Sequence, residues 1–313
     1  MAALAFAILL QLGMAFAQPS QTGYLQADSA QFRVFFHSQD AGTYRALWPQ
    51  LRSGLGRLQM GLGIPLQDTV TYIITPNREE WRRITGGIPD WAQGISDPLH
   101  RVTILKSPRF GDPMHPFYVT AVHELVHLLL HGSHPDAYFP RWLDEGLAQT
   151  LSGESLQLRT GLISQAVLSN RIHNFYQIEH LMSMPAQEAQ LAYAESVTAV
   201  DLLVKTYGWS GVRNYVAALG SGLEPDEAFI KTFGIHLGEF EGKWFDYLRT
   251  TYRFSFFQNW EFYLGVLFLP FLALAGFFAW RRRRKILARW EEEEQARTVG
   301  AQSEDYSPPD DNA

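Results

Sequence analysis

The chain has no cysteine among its 313 residues. Disulfide bonds, thiolate metal ligands and cysteine nucleophiles are therefore excluded, and any metal site must use histidine, aspartate or glutamate. Positive charge is also scarce, because 26 lysine and arginine residues face 32 aspartate and glutamate residues. This balance leaves no broad basic footprint for phosphates and argues against a nucleic-acid-binding protein. The G-x-S-x-G motif of many serine hydrolases is missing as well.

Both ends of the chain carry apolar runs. Residues 2–17 are uncharged and end in Ala-Phe-Ala, which is typical of a signal peptide, with a short N-terminal anchor or a buried helix as the alternatives. Residues 262–280 form a second uncharged run, close to the ~20 residues that a helix needs to cross a lipid bilayer. Five basic residues follow at 281–285, and such clusters stay on the cytoplasmic side.

These runs predict a membrane protein with a single span, whose main domain lies outside the cytoplasm, in the periplasm or the extracellular space. The predicted segments are a signal peptide at 1–17, an exported domain at 18–259, a transmembrane helix at 260–280 and a cytoplasmic tail at 281–313.

The exported region changes character near residue 116. Before it, the periodicity predicts strands at 32–36, 69–74 and 101–105, the last with the polar and apolar alternation of an edge strand. Beyond it, the periodicity is helical almost throughout. We therefore predict an α+β fold, with a small N-terminal mixed sheet, a mainly helical zinc-peptidase subdomain and one C-terminal transmembrane helix.

The most informative motif is His-Glu-x-x-His at residues 123–127. Two histidines four positions apart on a helix lie on one face, so His123 and His127 can bind the same ion. Glu124 can then reach a metal-activated water without being a ligand. The apolar residues around the motif predict a largely buried helix, in which charges are costly unless they are paired or bind a metal.

A zinc site needs a third protein ligand. His131 lies one turn further along, but three histidines in a row on one straight helix cannot surround an ion tetrahedrally. Ser133 stands where the metzincin pattern needs its third histidine, which excludes that class. A second predicted helix carries Glu145, 18 positions after His127, and can fold back to point this carboxylate at the ion. Its neighbour Asp144 either orients a ligand histidine or faces solvent.

The motif at 123–127 followed by Trp-Leu-Asp-Glu-Gly-Leu-Ala at 142–148 resembles the gluzincin branch of zinc metallopeptidases. In particular it is similar to the peptidase MA-like group, which is distantly related to the M1 aminopeptidases. The segments at 192–208 and 233–244 are similar to the helix that follows the site and to the closing segment of that group. The resemblance covers roughly residues 30–250.

The resemblance implies Zn²⁺ held by His123, His127 and Glu145, with Glu124 as general base. Tyr193 corresponds to the M1 tyrosine that stabilises the oxyanion, although ordinary packing of a buried tyrosine is equally compatible with its position. The M1 segment G-x-M-E-N, which binds the free amine of a substrate, has no counterpart at 91–97. Exopeptidase specificity is therefore not implied.

The sequence thus predicts a membrane-anchored zinc metallopeptidase that cleaves peptide or protein substrates, as an endopeptidase. The predicted edge strand at 101–105 would hold an extended peptide by strand addition. The alternative is a catalytically silent relative that serves as a binding module on the membrane surface. Glu124 favours the enzyme, because a purely structural zinc site does not need this carboxylate.

Overall fold

The computed structural model describes residues 23–86, 88, 92–111, 116–154, 160–253 and 260–304. The chain divides into two compact units, residues 1–254 and residues 255–313. The predicted signal peptide at 1–17 lies outside the described residues, and so does the end of the predicted tail at 305–313.

The first unit is built around a mixed five-stranded sheet with the order β1-β2-β3-β5-β4. The pairs β2–β3 and β3–β5 are parallel, whereas the outer pairs β1–β2 and β4–β5 are antiparallel. The strands are β1 (Tyr24–Ser29), β2 (Phe32–His37), β3 (Val70–Thr75), β4 (Gly94–Asp97) and β5 (Val102–Lys106). The two edges of the sheet are therefore β1 and β4.

Helices occupy most of the remaining described chain in this unit. Two of them lie between strands: α1 (Ala41–Leu62) and α2 (Arg78–Thr85). The others follow the sheet: α3 (Phe117–Ser133), α4 (Arg141–Ser152), α5 (Thr160–Leu168), α6 (Phe175–Ile178), α7 (Ala186–Gly220), α8 (Pro225–Phe233) and α9 (Leu237–Tyr252). Helix α7 is broken at Gly208, where φ is 69° and ψ is 172°.

The predicted α+β class is wrong, because the fold is mixed α/β. Parallel neighbours need a crossover connection, and α1 supplies the crossover from β2 to β3 while α2 lies on the path from β3 to β5. The edge position predicted for residues 101–105 is also wrong, since β5 pairs on both sides. Its polar Thr103 is fully buried, which is why the alternation in the sequence was misleading.

Apolar side chains on both faces of the sheet hold the unit together. One face and the helices α1, α3, α4 and α7 share the larger core, while Trp81 and Ile84 of α2 cover the other face. The hydroxyl of the buried Tyr72, on β3, donates a hydrogen bond of 3.1 Å to the carbonyl of Ala121 on α3. This bond fixes α3 on the sheet just before the His-Glu-x-x-His motif.

The second unit contains helix α10 (Trp260–Glu304), which includes Pro270. In the part of the chain that the structure describes, no helix is long and apolar enough to cross a membrane. The predicted transmembrane helix at 260–280 is therefore wrong, and the predicted bilayer attachment loses its support.

Candidate metal centre

The site is assembled from two consecutive helices that a third helix holds in place. A Cβ atom on Gly146 of α4 would lie 2.4 Å from the carbonyl oxygen of Ser196 on α7. Only glycine allows this approach, so α4 packs directly on α7. The neighbouring Glu145 thereby turns toward the motif on α3.

Three donor atoms from these helices converge. His123 Nε2 lies 3.2 Å from His127 Nε2, and Glu145 Oε2 lies 3.4 Å from the first nitrogen and 3.6 Å from the second. Ligands arranged tetrahedrally at ~2.0–2.1 Å from zinc are about 3.3 Å apart. The separations therefore match those of three ligands around one zinc ion.

The environment of Glu145 also fits a cation. Its side chain is 5 % exposed, and its buried Oε2 accepts no hydrogen bond in good geometry from the described residues. A buried carboxylate oxygen without a donor is costly, and a bound divalent cation would satisfy it. Oε1 lies 3.4 Å from Arg141 Nη1, which turns Oε2 toward the imidazoles.

Charge in the site favours a positive partner at the point of convergence. Burial alone would lower the pKa of His123, but interactions with Glu145 and Glu154 raise it to about 9. Burial opposes protonation of His127 too, yet Asp144 and Glu145 raise its pKa well above the usual value. Burial alone would raise the pKa of Glu145, but His127 and His123 lower it to about 2. The ionised carboxylate is the form that binds metals.

Each ligand imidazole carries a carboxylate on its other nitrogen. Asp144 Oδ1 lies 2.8 Å from His127 Nδ1, and Glu154 Oε1 lies 3.2 Å from His123 Nδ1. The hydrogen bond between His127 and Asp144 fixes that ring and its tautomer and leaves Nε2 for a metal. His123 Nδ1 makes no hydrogen bond of good geometry with the described residues, so Glu154 acts on it through charge. Asp144 is 3 % exposed, so it orients His127 and does not face solvent. Its Oδ2 contacts His131 Nε2 at 3.0 Å.

A cavity of about 500 Å³ opens beside the donor set. His123, Glu124 and Tyr193 all line it, together with Gly94 and Ile95 of the edge strand β4. Burial, and then the nearby Glu145 and Glu124, raise the pKa of Tyr193 well above its usual value. Its hydroxyl therefore remains protonated near neutral pH and can donate a hydrogen bond.

All five residues named from the sequence thus lie at one place. His123, His127 and Glu145 form one group of possible metal ligands, and Glu124 and Tyr193 line the adjoining cavity. The sequence did not point to Ser96, whose hydroxyl donates a hydrogen bond of 2.6 Å to Glu124 Oε2. The pattern gave no signal for it, because strand β4 was not predicted.

Comparison with known families agrees with this geometry. A family model described as the peptidase MA superfamily matches residues 51–250. The matched stretch contains the complete donor set and the residues of the cavity. No curated protein sequence matches the chain.

Proposed function

Because the chain belongs to the peptidase MA superfamily, whose members are generally zinc-dependent, we propose that it is a zinc metallopeptidase of the gluzincin type. In this proposal His123, His127 and Glu145 hold the metal. The observation that carries it is the set of separations of 3.2, 3.4 and 3.6 Å between their donor atoms.

The reaction is hydrolysis of a peptide bond. Bound zinc supplies a Lewis acid that activates water and polarises the scissile carbonyl. Glu124 accepts the proton of the attacking water and returns it to the leaving amine. The protonated hydroxyl of Tyr193 donates a hydrogen bond to the oxygen that becomes negative. Asp144 keeps the His127 imidazole oriented throughout, while Glu154 places a negative charge beside the His123 imidazole.

The cavity supports an extended peptide as the substrate. It borders β4, an edge strand, and a peptide that runs along such an edge can pair with its backbone. Apolar lining residues offer room for apolar substrate side chains: Ile88, Ala92, Ile95, Phe110 and Met182. Strand β4 carries Gly-Ile-Ser-Asp, with no glutamate that would capture a free amino terminus. We therefore propose endoproteolysis.

Glu124→Gln in the full chain tests the proposal. The variant should retain one zinc ion per chain and lose hydrolysis of unstructured peptides by at least about 100-fold, because general base catalysis contributes that much. Metal content is measured by mass spectrometry and cleavage with a peptide library. Glu227→Gln, on the exposed first turn of α8, is the matched control and should leave both unchanged. A zinc-loaded wild-type chain that cleaves no peptide would instead favour the binding module.

A further inference from the structure

Strand β4 contacts the catalytic carboxylate directly. Successive side chains of a strand point to opposite faces, and Ile95 packs with the α2 side of the sheet. Its neighbours Gly94 and Ser96 therefore face α3, where both meet Glu124. We propose that Gly94 and Ser96 are positioning residues that hold the Glu124 carboxylate ready for proton transfer, an inference that rests on the proposed function of Glu124.

Ser96 holds one end of this side chain. Its Oγ lies 2.6 Å from Glu124 Oε2 and 3.0 Å from the backbone oxygen of Glu124. The hydroxyl has one proton, and the shorter contact to a charged acceptor is the stronger bond. Ser96 itself is held in register opposite Thr103 on β5. The hydroxyl thus engages Oε2 and leaves Oε1 to accept a proton.

Gly94 makes room for the middle of the same side chain. A Cβ atom at this position would lie 2.9 Å from Glu124 Cγ, 3.0 Å from Glu124 Oε1 and 2.9 Å from Leu105 Cδ2, so the glycine makes room for both side chains. Gly94 does not have a positive φ, so space rather than backbone conformation explains the glycine. The carboxylate chain of Glu124 therefore lies flat against the strand.

Together the two contacts restrict the flexible Glu124 side chain at its carboxylate and at its Cγ atom. A free glutamate samples many rotamers, and freezing its side chain costs conformational entropy. A base that is already oriented avoids this loss when the reaction begins. The expected signature is a change in kcat with no change in metal binding or KM.

The first test is kinetic and uses the zinc-loaded full chain. Ser96→Ala should lower kcat about tenfold, because a hydrogen bond to a charged group is lost, with KM and zinc content unchanged. Ser96→Thr keeps the hydroxyl and should remain within about twofold of wild type. Gly94→Ala should lower kcat further, since the methyl group displaces Glu124. Ser210→Ala, at an exposed serine on α7 beyond the break at Gly208, is the control and should change nothing.

The second test does not depend on activity. The unfolding midpoint is measured for wild type, Ser96→Ala, Glu124→Ala and the double variant. Ser96→Ala should lower the midpoint more in the wild-type background than in the Glu124→Ala background, where only the contacts of Ser96 with the backbone oxygen of residue 124 and with Thr103 remain. Additive effects would overturn the proposed contact.

The two tests separate the possible failures. A wild-type chain without peptidase activity would refute the proposed function, while the unfolding cycle would still decide whether Ser96 holds Glu124. Normal kcat for Ser96→Ala in an active enzyme would refute the positioning role alone.

Discussion

The proposed metal centre and the segment beside α7 each contain a buried histidine–carboxylate pair, and the two pairs differ in role. Asp144 lies 2.8 Å from His127 Nδ1 on the α3–α4 hairpin, and Glu195 lies 2.8 Å from His173 Nδ1 beside α7. Both carboxylates are at most 3 % exposed. The bond lengths alone do not distinguish the pairs.

The pKa values of the two carboxylates shift in opposite directions. Burial alone would raise the pKa of Asp144, but His127 and His131 outweigh burial and lower it. Burial dominates at Glu195, whose pKa is raised although His173 opposes the shift. The single imidazole beside Glu195 does not offset burial, whereas Asp144 has two imidazoles and also Arg141 Nη1 at 3.7 Å.

The other contacts of each pair show its role. His127 Nε2 faces His123 and Glu145. Glu195 instead accepts a further hydrogen bond of 3.1 Å from the backbone nitrogen of His173, so that pair ties a connecting segment to α7. Within the described ranges, both possible metal-binding groups include His127, and neither includes His173.

The sharpest contrast is expected from Glu145→Gln and Glu195→Gln. Glu145→Gln removes a ligand and should weaken zinc binding by more than about 100-fold, the upper limit for losing an outer carboxylate. Glu195→Gln should leave zinc affinity unchanged, because its partner lies outside the donor set. Competition with a zinc chelator measures both affinities. Equal losses would refute the division into a metal centre and a structural pair.

A smaller effect is expected from Asp144→Asn. The amide oxygen can still accept a hydrogen bond from His127 Nδ1, but the negative charge that strengthens the ligand is gone. Zinc affinity should fall about 10- to 100-fold, and the same chelator competition measures it. An unchanged affinity would mean that Asp144 has only a structural role, like Glu195.

The smallest expected effect is a pH dependence of the stability that the His173–Glu195 pair contributes. Hydrogen bonding to Glu195 outweighs burial and raises the pKa of His173 above its ordinary 6.5. The folded state therefore holds this proton more tightly than the unfolded state, and the resulting stabilisation is complete below pH 6.5 and is lost as pH rises through the raised value.

Urea unfolding of wild type and Glu195→Gln between pH 6 and pH 9 measures this loss. The difference in unfolding free energy between the two should shrink as pH rises. A constant difference would contradict the proposed protonation of His173, and comparison at equal pH cancels any contribution from zinc.

Local patterns predicted the elements that carry strong periodicity. The three predicted strands correspond to β2, β3 and β5, and the two predicted helices that carry the His-Glu-x-x-His motif and Glu145 correspond to α3 and α4. The pairing of the strands could not be read in the same way, because it depends on contacts between distant segments. Strand β4 has four residues, too few for alternation to be recognised, and the edge was therefore assigned to β5.

The part of the candidate site that lies in short sequence motifs could be predicted from the sequence. His123, Glu124, His127 and Glu145 lie on two adjacent helices, and helical spacing is enough to bring them together. The roles of Ser96 and Glu154 could not be predicted from the sequence, because both residues reach the site through contacts between distant segments of the chain. His131 was set aside as a ligand by geometry, yet one turn of helix places it against Asp144.

The tight contact at Gly146 has a consequence for metal uptake. Because α4 rests on the backbone of α7 at Ser196, steric fit rather than coordination fixes the third donor. An incoming ion would meet ligands that already stand at their bonding separations. Binding would then require the imidazoles to give up their protons but would require no movement of α4.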